Sequence, residues 1–446
     1  MDSNSGKILY EKNAYEVKYP ASTTKIMTAI LALEKCKLNE MATVSHNAIF
    51  SVPLSYSHAS LKENEKLTIE QLLNVLLIPS ANDAANVIAE HISGSIEDFA
   101  VLMNEKAKEI GCKNTHFVNA NGIHNESHTT TAYDLALMGK YAMKNQSFRD
   151  IVKKTKYTLP ATDIYPNNDR IFKTTNELLR ENYSSKKDNY YYPNAIGVKT
   201  GYTSEAGSCI VAAAKKDNFE VLLVILDDRL TEDGLSQRFI DCKTLFDYAF
   251  ENYKYINLQE KNSIVKTLEV ANATKETKDL NLISKNSINA LVDSNFNVSN
   301  IEPNIEIKNL KAPIPEGAVV GKISYTIGND TFSSDLIAQK TVISSGFLSV
   351  LLKVCLILII TYILYKLLSH NSNNSRKNKK NTLNEKVSII EKKDGRQKEK
   401  QNKKKNRKIK KNINKKNNNN NKTSKKGKKH KHMAPKGQIK FNQLNL

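Results

Sequence analysis

Pro20-Ala21-Ser22-Thr23-Thr24-Lys25-Ile26-Met27-Thr28-Ala29-Ile30-Leu31-Ala32-Leu33 is the stretch on which the fold turns. From Ile26 it is an apolar, Ala-rich helix, and Pro20 just ahead is a start signal, which places Ser22 in the first turn. Residues three apart share a helix face, so the Lys25 amine is set beside the Ser22 hydroxyl. A serine hydroxyl attacks only when a neighbour takes its proton, and an amine does so only if burial or a second cation lowers its pKa. The helix N-terminus adds free N–H groups where an oxyanion would develop. The plainer reading of the same residues is a helix start with Ser22 as cap and Lys25 in solvent.

Around this stretch the chain divides by composition. It has 446 residues and a formal net charge of +21. From His370 onward there are 27 Lys and Arg against 4 Asp and Glu, so the tail carries +23 and the rest of the chain −2. The tail is Lys/Asn-rich and cannot bury a core, so disorder is expected over 369–446. Anionic inner-leaflet lipid is a candidate partner for it, a solvated charge run is the plainer reading, and no specific nucleic acid is expected. The apolar run 346–368, broken by Lys353 and Lys366, matches the ~20 residues of a transmembrane helix. A buried core helix or an in-plane anchor are its other readings. Tyr362, Tyr365 and Lys366 form an interface belt, and the positive-inside rule then puts the tail in the cytoplasm and everything before the span outside the cell. Export of such a domain calls for a signal, and Met1-Asp2-Ser3-Asn4-Ser5-Gly6-Lys7 has no apolar stretch, so the start at Met1 is expected to be trimmed or misassigned. The five cysteines, Cys36, Cys112, Cys209, Cys242 and Cys355, have no paired spacing that would indicate a disulfide framework or a metal site.

Periodicity predicts a turn at 4–7 feeding a strand over 8–12, and helices at Ile69–Leu77, Asp83–His91, Ile96–Ile110 and Thr131–Met143. Strands follow at Ala195–Lys199, Gly207–Ala213 and Glu220–Leu226, with a closing helix at about Leu235–Phe250. Strands early and late with helices between them predict an α/β (α+β) domain with a helical subdomain over 1–255. Short β-rich runs separated by Pro and Gly predict a small all-β domain over 256–342, read most simply as a spacer.

Two further motifs join the first. Leu76-Leu77-Ile78-Pro79-Ser80-Ala81-Asn82-Asp83 leaves one helix and starts another; Ser80 is either the cap of the second or a proton relay beside Lys25, and Asn82 either a turn residue or a polar contact for substrate. Ala195-Ile196-Gly197-Val198-Lys199-Thr200-Gly201-Tyr202-Thr203 is a strand ending in Lys-Thr-Gly. Lys199 would face a substrate carboxylate and lower the Lys25 pKa by like-charge repulsion. Gly201 lets an extended peptide approach the strand edge.

Ser-x-x-Lys, Ser-x-Asn and Lys-Thr-Gly in this order resemble the serine penicillin-binding proteins and β-lactamases. The flanks Gly6–Asn13, Asn114–Asn119, Gly122-Ile123-His124 and Arg238-Phe239 are similar to the low-molecular-weight D-alanyl-D-alanine carboxypeptidases, and Ala312–Gly317 with Leu336-Ile337-Ala338 to their C-terminal β domain. The resemblance implies Ser22 as acylated nucleophile and Lys25 as base, with Ser80, Asn82 and Lys199 completing the network. It implies Thr200 and Arg238 at the substrate carboxylate, and the N–H groups of Ser22 and Tyr202 as oxyanion hole. His124, His128 and Asp134 are given structural roles. The implied reaction removes the terminal D-alanine of peptidoglycan stem peptides without metal or organic cofactor, and β-lactams would acylate Ser22. A membrane span with a cytoplasmic tail departs from the amphipathic anchor common in that family. A DD-endopeptidase, a β-lactamase, which should carry a Glu-x-x-Leu-Asn segment that Asn176-Glu177-Leu178-Leu179-Arg180 does not match, and a non-catalytic membrane scaffold are the rival readings.

Overall fold

The computed structural model describes residues 1–369 apart from 167–168, 182–188, 299–300 and 347–348, together with 383, 387 and 388. The expected disordered tail therefore lies almost wholly outside the described residues. Residues 1–345 form one compact unit.

Its first part runs through a 3₁₀ turn, η1 (Ala21–Thr24), into α1 (Lys25–Lys35), then β1 (Met41–Thr43), α2 (His46–Phe50), β2 (Lys66–Thr68), α3 (Ile69–Leu77), α4 (Asn82–Ser93), α5 (Ile96–Ile110), α6 (Ala132–Ala142) and α7 (Gln146–Val152). The α3 start is fixed by a capping box of Thr68 and Gln71, and Gly94 and Gly111 end α4 and α5 in the left-handed conformation. Next come the β3 (Lys156–Leu159) and β4 (Arg170–Lys173) hairpin, a 3₁₀ turn η2 (Glu177–Leu179), and the antiparallel sheet β5 (Ala195–Thr203), β6 (Gly207–Lys216), β7 (Phe219–Asp228), closed by α8 (Gln237–Asn252).

The sheet has helices on both faces, and β6 shows why. Its residues alternate: Val211 and Ala213 join the core built from α1, α3, α4, α5 and α6, whereas Ile210, Ala212 and Ala214 join Phe239, Cys242 and Phe246 of α8. At the centre of the first core, α1 buries Ile26, Met27, Ala29, Ile30, Leu31 and Ala32. Over Lys25–Ala32 every residue of α1 is buried, so the head of the helix is held from every side.

The expected strand over 8–12 is absent. Instead Asp2 pairs with Val221 of β7, while 8–12 run beside β7 across an open groove of about 600 Å³ lined by Ile8, Tyr10, Leu223 and Ile225 among others. A turn signal and apolar residues were present, but the groove separates this backbone from β7, and a strand needs a ladder partner.

The second part is antiparallel. β8 (Tyr253–Gln259) pairs with β11 (Ile288–Asp293), and β9 (Ile264–Glu269), β10 (Asp279–Ser284), β12 (Asn304–Ile307), β13 (Val319–Ile327) and β14 (Asp330–Ala338) form a sheet in the order β12-β13-β14-β10-β9 around Leu280, Leu282, Ile323 and Leu336. It is tied to the first part by Tyr255, whose hydroxyl donates to Asp2 Oδ2 at 2.8 Å. In the second unit, Ser349–Ser369 is a 21-residue helix, α9, with exposed apolar side chains. At 1.5 Å per residue it is about 31 Å long, the thickness of a bilayer core.

Candidate active site

Ser22 does not lie in α1 itself but in η1, which Ala21 enters at φ +47°. That conformation costs about 1–3 kcal/mol for a side-chain residue and persists only where neighbours enforce it. Here they do. Gly122 packs so closely that a Cβ on it would lie 1.9 Å from the Ala21 carbonyl oxygen. Thr23 Oγ1 donates to Pro20 O at 2.6 Å, and Thr24 Oγ1 meets His128 Nε2 at 2.8 Å. His128 Nδ1 accepts from Val118 N at 3.0 Å, so the ring proton sits on Nε2 and is donated to Thr24. Burial, then the charges of His116, His124 and Lys25, push the His128 pKa down to about 3. It is a neutral strut at working pH.

The turn aims Ser22 at Lys25. Lys25 is fully buried, and its Nζ lies 2.8 Å from Ser22 Oγ, 2.7 Å from Asn82 Oδ1 and 2.6 Å from the Asn121 carbonyl oxygen. An amide oxygen and a carbonyl can only accept, whereas a hydroxyl can also donate. In the ammonium form all three N–H groups find an acceptor here; in the neutral amine two N–H groups go to Asn82 and Asn121, and the lone pair is left facing the Ser22 hydroxyl. Burial first, then the charge of Lys199, hold the Lys25 pKa well below its ordinary value against the opposing pull of Asp83.

Asn82 opens α4 and is held at both ends of its amide, since Nδ2 donates to Ser57 O at 3.1 Å. The adjoining Asp83 carboxylate accepts from the backbone of Ala59 and Leu61 at 3.0 to 3.1 Å, fixing that loop against α4. Ser80 is not the helix cap. Ala81 holds the cap position without a side-chain bond, and Ser80 precedes it at φ +70°. Its side chain is buried beside the motif, but among the described hydrogen bonds none joins its hydroxyl to Lys25.

The opposite wall is β5. Gly201 faces η1 closely: a Cβ there would stand 3.0 Å from Ser22 N and 3.1 Å from Ala21 Cβ. Lys199 is buried, donates to Thr200 O at 2.8 Å, and has its pKa lowered to about 7 by burial and then by Arg238. Thr200 Oγ1 is 2.5 Å from Thr175 Oγ1. Tyr202 projects to solvent. Arg238, on α8, donates through Nη1 to Gly201 O at 2.8 Å and Cys209 O at 3.3 Å, so its guanidinium braces β5 against β6. Residues of all three motifs thus meet: Ser22, Lys25 and Asn82 by hydrogen bonds, Gly201 by its close approach to Ser22, and Lys199 near enough for its charge to lower the Lys25 pKa. Among the described hydrogen bonds none joins Ser80, Lys199 or Thr200 to Lys25. Asn121 was not legible beforehand, because its part is played by a backbone carbonyl that carries no residue signature. Its side chain is anchored by Asn86, through Nδ2 to Oδ1 at 3.0 Å.

Residues 1–230 match the family model described as D-alanyl-D-alanine carboxypeptidase, and residues 253–344 that of the penicillin-binding protein 5 C-terminal domain. The chain is 32% identical over 361 residues to the D-alanyl-D-alanine carboxypeptidase DacF of Bacillus subtilis, an alignment covering 79% of this chain and 86% of the relative. Among solved structures, penicillin binding protein 5 from Haemophilus influenzae aligns with a TM-score of 0.58 and 27% identity, over 77% of this chain and 96% of that one. PBP3 from Streptococcus pneumoniae, at 23% identity and a TM-score of 0.64 over 77% and 97%, shares the fold.

Proposed function

We infer the chemistry of the cleft from the premise that this chain belongs to the D-alanyl-D-alanine carboxypeptidase family, the low-molecular-weight penicillin-binding proteins. It is a serine-type D-alanyl-D-alanine carboxypeptidase, a cell-wall hydrolase acting on peptidoglycan stem peptides and open to β-lactams. The endopeptidase, β-lactamase and scaffold alternatives are not favoured by these relatives. The division of labour among its residues is our proposal. Ser22 Oγ attacks the carbonyl carbon between the two terminal D-alanines as its proton passes to Lys25 Nζ. The developing oxyanion is held by the backbone N–H groups of Ser22 and Tyr202. Collapse breaks the C–N bond, the leaving amine takes a proton from the Lys25–Ser80 side of the cleft, and water then hydrolyses the ester. Asn82, Lys199, Thr200 and Gly201 bind the extended substrate. Thr200 and Arg238 serve its terminal carboxylate, Thr200 by contact and Arg238 by positioning the strand that presents it.

The observation that carries this reading is the environment of Lys25, a fully buried amine 2.8 Å from Ser22 Oγ whose pKa burial and Lys199 hold well below its ordinary value. We propose further that α9 spans the membrane, with residues 1–345 outside and the basic tail in the cytoplasm, and that the tail meets anionic lipid. Purified protein should release D-alanine from a stem pentapeptide, and Ser22→Ala should abolish that release. Release unchanged in Ser22→Ala would refute the assignment, and the same assay on a cross-linked dimer measures any endopeptidase share.

A further inference from the structure

Away from the cleft, among the described residues, one group of three ligand-type side chains comes together: Cys36, Glu40 and His91, with Sγ, a carboxylate oxygen and a ring nitrogen all within 4.8 Å of one another. Cys36 and Glu40 lie four residues apart just beyond the end of α1, and His91 comes from α4, so two segments distant in the chain supply the three donors. Cys36 is the residue after α1, with its N–H bonded to Ala32 O at 3.1 Å. Glu40 closes the Lys37–Glu40 turn, its N–H donating to Lys37 O at 3.0 Å and its carbonyl accepting from Ile69 N at 2.9 Å. His91 lies in the last turn of α4, and its Nε2 is 2.9 Å from Glu40 Oε1. The donors are therefore carried on backbone already fixed by hydrogen bonds.

We propose that Cys36, Glu40 and His91 form a binding site for a thiophilic divalent cation of the zinc type, with water as the fourth ligand. The donor set is thiolate, imidazole and carboxylate, which is that of zinc rather than of magnesium or calcium. Tetrahedral bonds of about 2.0 to 2.3 Å place donors roughly 3.3 to 3.7 Å apart, so the wider separations must close by up to about 1 Å while the 2.9 Å His91–Glu40 pair opens slightly. On binding, the Cys36 thiol loses its proton to solvent and His91 coordinates through Nε2 with its ring proton on Nδ1. One proton is released per cation taken up by the neutral imidazole. The site links two helices that also carry the active-site residues. α1 begins at Lys25 and ends at Lys35, one residue before Cys36; α4 begins at Asn82 and bears His91 in its last turn. A cation clamped at their far ends would hold the pair whose near ends make the 2.7 Å bond from Lys25 to Asn82.

The test is a titration of the reduced full-length protein with Co²⁺, read by the thiolate-to-cobalt charge-transfer band, followed by displacement with Zn²⁺. Cys112, Cys209 and Cys242 are buried and Cys355 lies in α9, so the variants identify the thiol. The expected result is one Co²⁺ per chain, loss of the band in Cys36→Ser, and affinity at least about tenfold weaker in His91→Ala. Absence of the band in the wild type, its survival in Cys36→Ser, or unchanged affinity in His91→Ala would each overturn the proposal. Penicillin acylation, which Cys36→Ser should leave intact, serves as the check that the variants fold.

Discussion

Lys25 is a buried amine whose pKa the fold holds well below its ordinary value, and the consequences appear in pH dependence. Acylation by a β-lactam should rise with pH as Lys25 loses its proton. Because Lys199 helps to depress that pKa, Lys199→Met should move the acidic limb of the acylation profile to higher pH, beyond merely lowering the rate. An unmoved limb would show that the two charges do not interact. Lys199 has a second signature, in stability. Its pKa is about 7 folded and near 10.5 unfolded, so between these values the unfolded chain holds a proton that the native protein has released. Stability from this group therefore increases with pH across that window, by up to ~1.4 kcal/mol per pH unit, and is flat below it, where both states are charged. Urea unfolding of wild type and Lys199→Met at several pH values should show the slope diminished in the variant. Ser22, Lys25, Asn82 and Lys199 were readable because motif spacing encodes side chains. The Asn121 carbonyl and the His128 strut under Thr24 were not, since a backbone acceptor and a neutral buried ring leave no pattern.

Among the elements, η1 is the one whose shape matters most, and it is held from outside itself. Gly122→Ala would bring a Cβ into the Ala21 carbonyl at a residue whose own φ is +85°. It should displace the turn, cost about 1–3 kcal/mol, and abolish acylation even at temperatures where the protein stays folded. Normal acylation in that variant would show that the turn tolerates movement. The β3–β4 hairpin is fixed differently, by the Arg170–Glu65 ion pair, with Glu65 wholly buried and Arg170 11% exposed at the side chain. Arg170→Ala leaves the buried Glu65 carboxylate without its counter-charge, with Lys62 N and Thr162 Oγ1 still donating to it, and should destabilise by about 3 kcal/mol, measurable by thermal unfolding. The long helices were readable from the 3.6-residue period, and α3 and α5 fall at the expected residues. The periods failed where pairing or neighbours decide. The 3₁₀ geometry of η1 comes from Gly122 and Thr23 contacts, β5 extends through Lys199–Thr203 because a ladder does not require apolar residues, and 8–12 stay unpaired, separated from β7 by the groove between them.

At the level of the whole chain, every residue named in the cleft belongs to the unit that ends at Ser345. A protein cut after Ser345 should therefore keep its penicillin acylation rate and leave the membrane fraction, whereas the full chain should stay in it through α9. Loss of acylation on truncation would mean that the remainder of the chain contributes to the site. The β domain and α9 were legible by composition and length, because a run of turn-separated strands and an apolar stretch of bilayer length each leave a broad pattern. The seam between the two parts was not, since it depends on particular contacts such as that of Tyr255 with Asp2. The central claim is that a single hydroxyl in this chain is made nucleophilic by a buried neutral amine. Intact mass spectrometry after brief exposure to benzylpenicillin, with peptide mapping of the adduct, tests it directly. One penicilloyl group per chain is expected, located on Ser22 and missing from both Ser22→Ala and Lys25→Ala. An adduct on another residue, or one formed at the wild-type rate without Lys25, would contradict it.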